Sequence, residues 1–239
     1  MNILGIESSS LVASVAFVTD HVLTAEYTVN FKKTHSQTLL PMLDEIVNMV
    51  DFDLDTVDAI AVSAGPGSFT GLRIGSATGK GLGLALHKPL VSVPTVDAMA
   101  YNLYGCASIV CPIMDARRDQ VYTGIYDNKD GFSIIKESCA MDIKDLIMEL
   151  NQTGEKVIFL GDGVPVYKKQ IEELMTVPFS FAPAHLNRQR GSAVAALGSL
   201  YYEDGRIVEA AEHAPDYLRK PQAEREREEQ EAKGELHGS

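Results

Sequence analysis

The sequence predicts an α/β protein of two similar lobes, each a mixed β-sheet with flanking helices. Three observations lead there. The first hundred or so residues read β-β-β-α-β-α-β-α by apolar periodicity. The order then begins again: shifting the opening hairpin by 108 positions lays Glu7 on Asp115 and Val15 to Val18 on Thr123 to Tyr126. Finally, 239 residues at 45% hydrophobic suffice for one large or two small cores. The repeat is one of pattern, with low residue identity, and divides the chain into lobes at 1–104 and 105–219 and a charged tail at 220–239.

Asn2 to Glu7 is an apolar run ending in a carboxylate, followed by Ser8, Ser9 and Ser10 and a second strand from Val12 to Val18, which makes a hairpin. His21 to Phe31 alternates as a third strand. A helix opens at Thr34 or His35 and runs to about Val50, with Pro41 inside its pattern. Val57 to Ser63 is a buried strand broken by Gly65, Pro66 and Gly67; a helix follows from about Thr70 to Leu86. Pro89 to Val93 is a strand and Thr95 to Leu103 a short helix. In the second lobe Ser108 to Asp115 and Gln120 to Tyr126 repeat the hairpin, and Val157 to Gly163 repeats the strand that runs into a glycine turn.

Composition excludes several classes of function. Lys and Arg total 21 against 33 Asp and Glu, a formal charge of -12, so the surface repels phosphate backbones and unaided nucleic-acid binding is disfavoured. The three cysteines, Cys106, Cys111 and Cys139, contain no CxxC pair, which suits a reducing, cytoplasmic setting and not a thiolate metal site. No apolar run reaches the roughly 18 to 20 residues of a membrane helix, and the N-terminus lacks a basic region before its apolar residues. From Gln222 onward the tail holds six acids and three bases and almost nothing apolar to bury.

The stretch Gly65 to Gly83 matches neither GxxxxGK[ST] nor GxGxxG in spacing. It does place glycines at 71, 75, 79 and 83, four apart and therefore on one helix face. With Gly81 these cost about 4 to 5 kcal/mol relative to alanine, so a close backbone approach must offset them. That backbone is either the lobe's own sheet or a helix of a second molecule. The turn Gly65 to Thr70 leads into a helix N-terminus and is either an anion seat or a tight turn without a ligand. On the helix from His35, Leu39, Leu43, Ile46 and Val50 form one stripe and Leu40, Met42, Val47 and Met49 another, an arc wider than a sheet-covering helix needs. Either a partner helix or the other lobe covers the excess. His35 has Leu39 where a helical metal pair would place a second His, and no other His pair has ligand spacing. Ser68 lacks the GxSxG elbow of a hydrolase. Asp115 to Asp119 is a charged turn, either solvated or facing the cleft between lobes.

The block AVSAGPGSFTGLRIGSATGKGLG (Ala61 to Gly83), the opening ILGIESSSLVASVAF, MDARRDQVYTGIY and PDYLR (Pro215 to Arg219) resemble the bacterial TsaB family, also called YeaZ, over residues 1 to about 219. The resemblance implies two actin-like, ribonuclease-H-like lobes of the ASKHA superfamily. It also implies a noncatalytic partner of the TsaD transferase in making threonylcarbamoyladenosine beside the anticodon of ANN-decoding tRNAs. A TsaE-like ATPase would dock on the pair, tRNA would be met indirectly, and a homodimer would form when the chain is alone. No intrinsic cofactor is implied; ATP or ADP and metal belong to the partner subunits.

Family contacts to TsaD, carried onto this sequence, fall on Leu39, Leu40, Leu43, Ile46, Val47, Val50, Gly71, Ile74, Gly75, Thr78, Gly79 and Leu82. A vestigial nucleotide or anion site would comprise Glu7, Ser8, Ser9, Ser10, Gly65, Gly67 and Asp115, with Glu7 standing where the family usually shows Asp. An active ATP-dependent enzyme or a glycoprotease-like peptidase of the same fold is the alternative.

Overall fold

The computed structural model describes residues 1–31 and 35–218. In the first half β1 (Asn2–Glu7), β2 (Val12–Thr19), β3 (Val22–Asn30), β4 (Ala59–Gly65) and β5 (Leu90–Pro94) form a sheet in the order β3-β2-β1-β4-β5. In the second, β6 (Ile109–Asp115), β7 (Gln120–Asp127), β8 (Ser133–Asp142), β9 (Val157–Leu160) and β10 (Phe179–Phe181) take the order β10-β9-β6-β7-β8. Read from the other edge, this is the same topology. In both sheets the first strand pairs antiparallel with the second and parallel with the fourth. The repeat seen in the sequence is thus a repeat of sheet architecture, with Glu7 and Asp115 both closing the central strand of their sheets.

Six helices flank the sheets: α1 (Leu39–Met49), α2 (Phe69–Leu86), α3 (Thr95–Tyr101), α4 (Ile143–Gln152), α5 (Val164–Leu174) and α6 (Gly191–Glu203). Strand period decides which residues meet which helix. Leu4 and Ile6 turn toward α1 with Ile60 and Val62, whereas Ile3, Ala59 and Ala61 turn toward α6. The break between residues 104 and 105 therefore separates the sheets but not the cores. The segment α6, second-lobe by chain order, packs on the first sheet, while Val96, Met99 and Ala100 of α3 pack with Val110, Met114 and Leu160 of the second. Each half lends its last helix to the junction.

The helix expected from Thr34 or His35 begins instead at Leu39, after a single 3-10 turn at His35–Gln37; Thr34 lies outside the described residues. The expected β5 and α3 stand within a residue or two of their places. Residues 127 to 156, which the repeat left without elements, hold β8 and α4, the latter capped by the Asp142 carboxylate on Lys144 N–H at 2.8 Å. The tail 220–239 lies outside the described residues, as does Arg219 of the PDYLR stretch. No helix among the described residues is long and apolar enough to cross a membrane.

Candidate functional site

Between the lobes lies a cleft of about 490 Å³, lined among others by Ser9, Ser10, Gly67, Ser68, Asp115, Arg117, Asp162 and Asp216. The structure brings Ser9, Ser10, Gly67 and Asp115 of the expected anion site to its wall, and buries Glu7, Ser8 and Gly65 behind it. The glycines explain the closeness of the walls. A Cβ at Gly67 would stand 2.3 Å from the Ser9 carbonyl oxygen, and one at Gly71 would stand 2.1 Å from that of Ser8. The N-terminus of α2 is thereby pressed onto the β1–β2 turn.

Several amides of this turn are already engaged. Glu7 Oε1 accepts both the N–H and the hydroxyl of Ser9 at 2.6 Å. Ser10 Oγ accepts Val12 N–H at 3.2 Å, and Ser63 Oγ accepts Ser8 N–H at 3.4 Å. At the start of α2, Ser68 N–H is spent on the Ser9 carbonyl at 2.6 Å and Gly71 N–H on the Ser68 hydroxyl at 3.3 Å. The amides of Ser8, Ser9, Ser68 and Gly71 are thus taken by the protein's own carboxylate, hydroxyls and carbonyl.

The charge of the cleft has the same sense. Asp115, Asp162 and Asp216 line it against Arg117, whose side chain is 81% exposed and sits 3.6 Å from Asp115. Asp115 also accepts the Tyr167 hydroxyl at 3.1 Å. Burial pushes the Glu7 carboxyl up to about 7 against the opposing hydrogen bonds from Ser9, and the Asp162 charge adds to the rise. Burial raises Asp162 as well, with Arg188 opposing and Asp115 reinforcing. Among the described residues no group of three or more His, Cys, Asp and Glu is arranged to hold a metal ion. The chain's last described residues line the cleft as well: Asp216 N–H bonds the Ala64 carbonyl at 2.7 Å, and the Tyr217 ring lies 5.0 Å from that of Phe69.

The expected partner face requires correction. Leu39, Leu43 and Ile46 are buried against the first sheet, as is Met42 of the second stripe. The glycine ridge also faces inward: Cβ atoms at Gly75, Gly79 and Gly83 would meet Ser8, Val62 and Leu90 within 2.3 to 2.6 Å. Side chains of the lobe's own sheet and the Ser8 carbonyl, not the backbone of a second helix, lie against the glycines, so Gly71, Gly75 and Gly79 offer no outward surface. Leu40 and Val50 are exposed, Met49 beside them is 72% exposed, and Val47, Ile74, Thr78 and Leu82 are half-buried. The outward patch is narrower than the wide arc suggested, because Phe52 and Leu54 and the sheet absorb much of it.

Sequence reasoning missed Asp162 as a cleft residue, and it read Pro215 to Arg219 only as part of the family resemblance and not as cleft lining. Asp162 stands in the glycine turn LGDG that the repeat had marked, so a carboxylate there was visible as a signal.

Residues 25–227 match the family model described as TsaD: tRNA N6-adenosine threonylcarbamoyltransferase. A Bacillus subtilis protein named tRNA threonylcarbamoyladenosine biosynthesis protein TsaB is 31% identical, the match covering 94% of this chain and 96% of that one. The chain belongs to the TsaB family and carries a TsaD-like domain. The Escherichia coli TsaB is 33% identical over 68% of this chain and 72% of its own. A solved Pseudomonas aeruginosa structure, described as similar to peptidase YEAZ, superposes with a TM-score of 0.78 at 26% identity over 91% of this chain and 99% of that one. The two-lobed architecture of the family is therefore that of this chain.

Proposed function

We propose that this chain acts in tRNA threonylcarbamoyladenosine biosynthesis as a noncatalytic subunit that binds and activates a TsaD-like transferase. The modified base is the adenosine next to the anticodon of ANN-decoding tRNAs. A TsaE-like ATPase joins the pair, the chain pairs with itself when alone, and it works in the cytoplasm. Nucleotide and catalytic metal belong to the partners, and tRNA is met through them, consistent with the formal charge of -12.

One observation carries this reading: the Glu7 carboxylate takes up the Ser9 amide and hydroxyl that a phosphate would need. Ser9 donors turned inward in this way favour a protein that contributes a surface over one that contributes chemistry. The outward residues Leu40, Met49 and Val50 supply that surface on the first lobe.

The test is reconstitution with purified TsaD-like and TsaE-like subunits, tRNA and threonylcarbamoyl adenylate. Leu40→Glu with Val50→Glu is expected to abolish association and modification together while the far-ultraviolet spectrum stays unchanged. Asp115→Asn is expected to leave modification within twofold. Loss of modification in Asp115→Asn with association intact would move the chain to the enzyme class.

A further inference from the structure

The chain's last described residues cross the first lobe as a strap. After α6 the chain turns back to the outer side of β5, the edge strand of the first sheet. There Leu90 and Val208 exchange both backbone hydrogen bonds at 2.9 Å, a single bridge in place of a ladder. Ala210 then seats against α2, where a Cβ on Gly83 would come within 2.8 Å of the Ala210 Cβ. Farther on, the Asp216 amide reaches the Ala64 carbonyl at 2.7 Å, and Asp216, Tyr217 and Leu218 line the cleft. The strap thus covers a sheet edge at one end and supplies cleft wall at the other. So few backbone bonds to the sheet place it at the low end of local stability.

Between those ends lies His213, 2% exposed. Its Nδ1 and the Ser92 hydroxyl of β5 are 3.0 Å apart, and its carbonyl accepts Lys80 Nζ of α2 at 3.1 Å. Its Nε2 is buried without a hydrogen-bond partner. Such a pocket suits the neutral imidazole: the imidazolium carries an N–H on both nitrogens, and the second would be left buried without an acceptor. The charge facing the ring from α2 is the Lys80 ammonium, of the same sign as a protonated ring. Ser92 of β5 is uncharged, and Glu209 and Glu212 of the strap itself are exposed. Burial first and Lys80 second hold the ring's pKa below its ordinary 6.5.

We infer that His213 makes the strap a pH-sensitive latch, seated on β5 and the cleft wall at neutral pH and released when its imidazole takes up a proton. The seated strap binds that proton less readily than the released one. The latch is therefore fully closed above about 6.5 and loosens as pH falls below that value toward the lowered one. Release uncovers the β5 edge and withdraws Asp216, Tyr217 and Leu218 from the cleft. The latch needs no partner, so its failure would leave the subunit role standing.

Two measurements on the full chain test it. Titration of the His213 ring by NMR is expected to give a midpoint below 6.5. Amide hydrogen exchange, corrected for its intrinsic pH dependence, then follows Val208 and Asp216 at about pH 7.5 and pH 5.5. Their protection is expected to fall about threefold or more on acidification, since each unit of lowered pKa is worth about tenfold, while that of α4 in the second lobe holds. His213→Gln, uncharged at both pH values, is expected to keep the strap equally protected at both. A ring midpoint at or above 6.5, strap protection indifferent to pH, or a His213→Gln strap that loosens in acid as the parent does would overturn the latch.

Discussion

Asp97, on a helix of the first half, accepts a 2.7 Å hydrogen bond from the hydroxyl of Tyr126, on a strand of the second. Its other oxygen accepts the Tyr201 hydroxyl of α6 at 3.1 Å. One buried carboxylate thus joins three elements at the junction, and burial raises its pKa against these two bonds. Tyr126→Phe is expected to destabilise the chain by about 1 to 3 kcal/mol, the cost of leaving a buried acceptor short of a donor. Urea unfolding measures it, and Tyr201→Phe should cost less because its bond is longer.

The glycines of α2 divide by what they face. Alanine at Gly71 would put a Cβ 2.1 Å from the Ser8 carbonyl oxygen, whereas Gly81 has nothing within 4 Å. Gly71→Ala is expected to lower stability by about 1 to 3 kcal/mol or more through overpacking. Gly81→Ala should raise it by up to about 1 kcal/mol through helix propensity. Thermal midpoints that move the same way in both variants would refute the orientation of the ridge.

Glu7 makes stability depend on pH in a defined sense. Its carboxyl is raised from 4.5 to about 7 in the folded chain. The folded state therefore holds a proton that the unfolded state has released, and this contribution, full below about 4.5, is lost as pH rises through about 7. Glu7→Gln should flatten that part of the stability profile and gain on the parent above pH 7, as urea unfolding across pH measures.

Glu26 behaves oppositely. Although burial opposes it, Arg190 and Ser192 hold its carboxyl below the usual range. The Ser192 N–H and hydroxyl bond it at 3.1 and 2.7 Å, and Arg190 pairs with its other oxygen. Stability from this cluster is present above the ordinary carboxylate range and lost as pH falls through the lowered folded value. Arg190→Ala should shift the acid unfolding midpoint upward, followed by circular dichroism.

Much of the fold was legible because strands and helices announce themselves locally. The apolar run ending in Glu7 and its echo ending in Asp115 located the central strand of each sheet, and the glycine turns at 65–67 and 161–163 marked where each fourth strand stops. The direction a helix face takes was less accessible. Leu43 and Leu40 both belonged to an apolar arc, and periodicity cannot say which is 5% exposed and which 53%. Nor could it choose between a partner and the lobe's own sheet for the four-residue glycine spacing, since both present a close backbone.

The sequence by itself determined the duplicated strand order, the two lobes and the family, all of which rest on residues near one another in the chain. Only the tertiary structure decided that α3 and α6 are shared at the junction, that the glycine ridge faces Ser8 and Val62, and that Asp97 accepts the Tyr201 hydroxyl. Those relationships join residues more than a hundred positions apart or depend on which face is buried. Burial and charge act through space, and no local pattern encodes the distance between the elements that carry them.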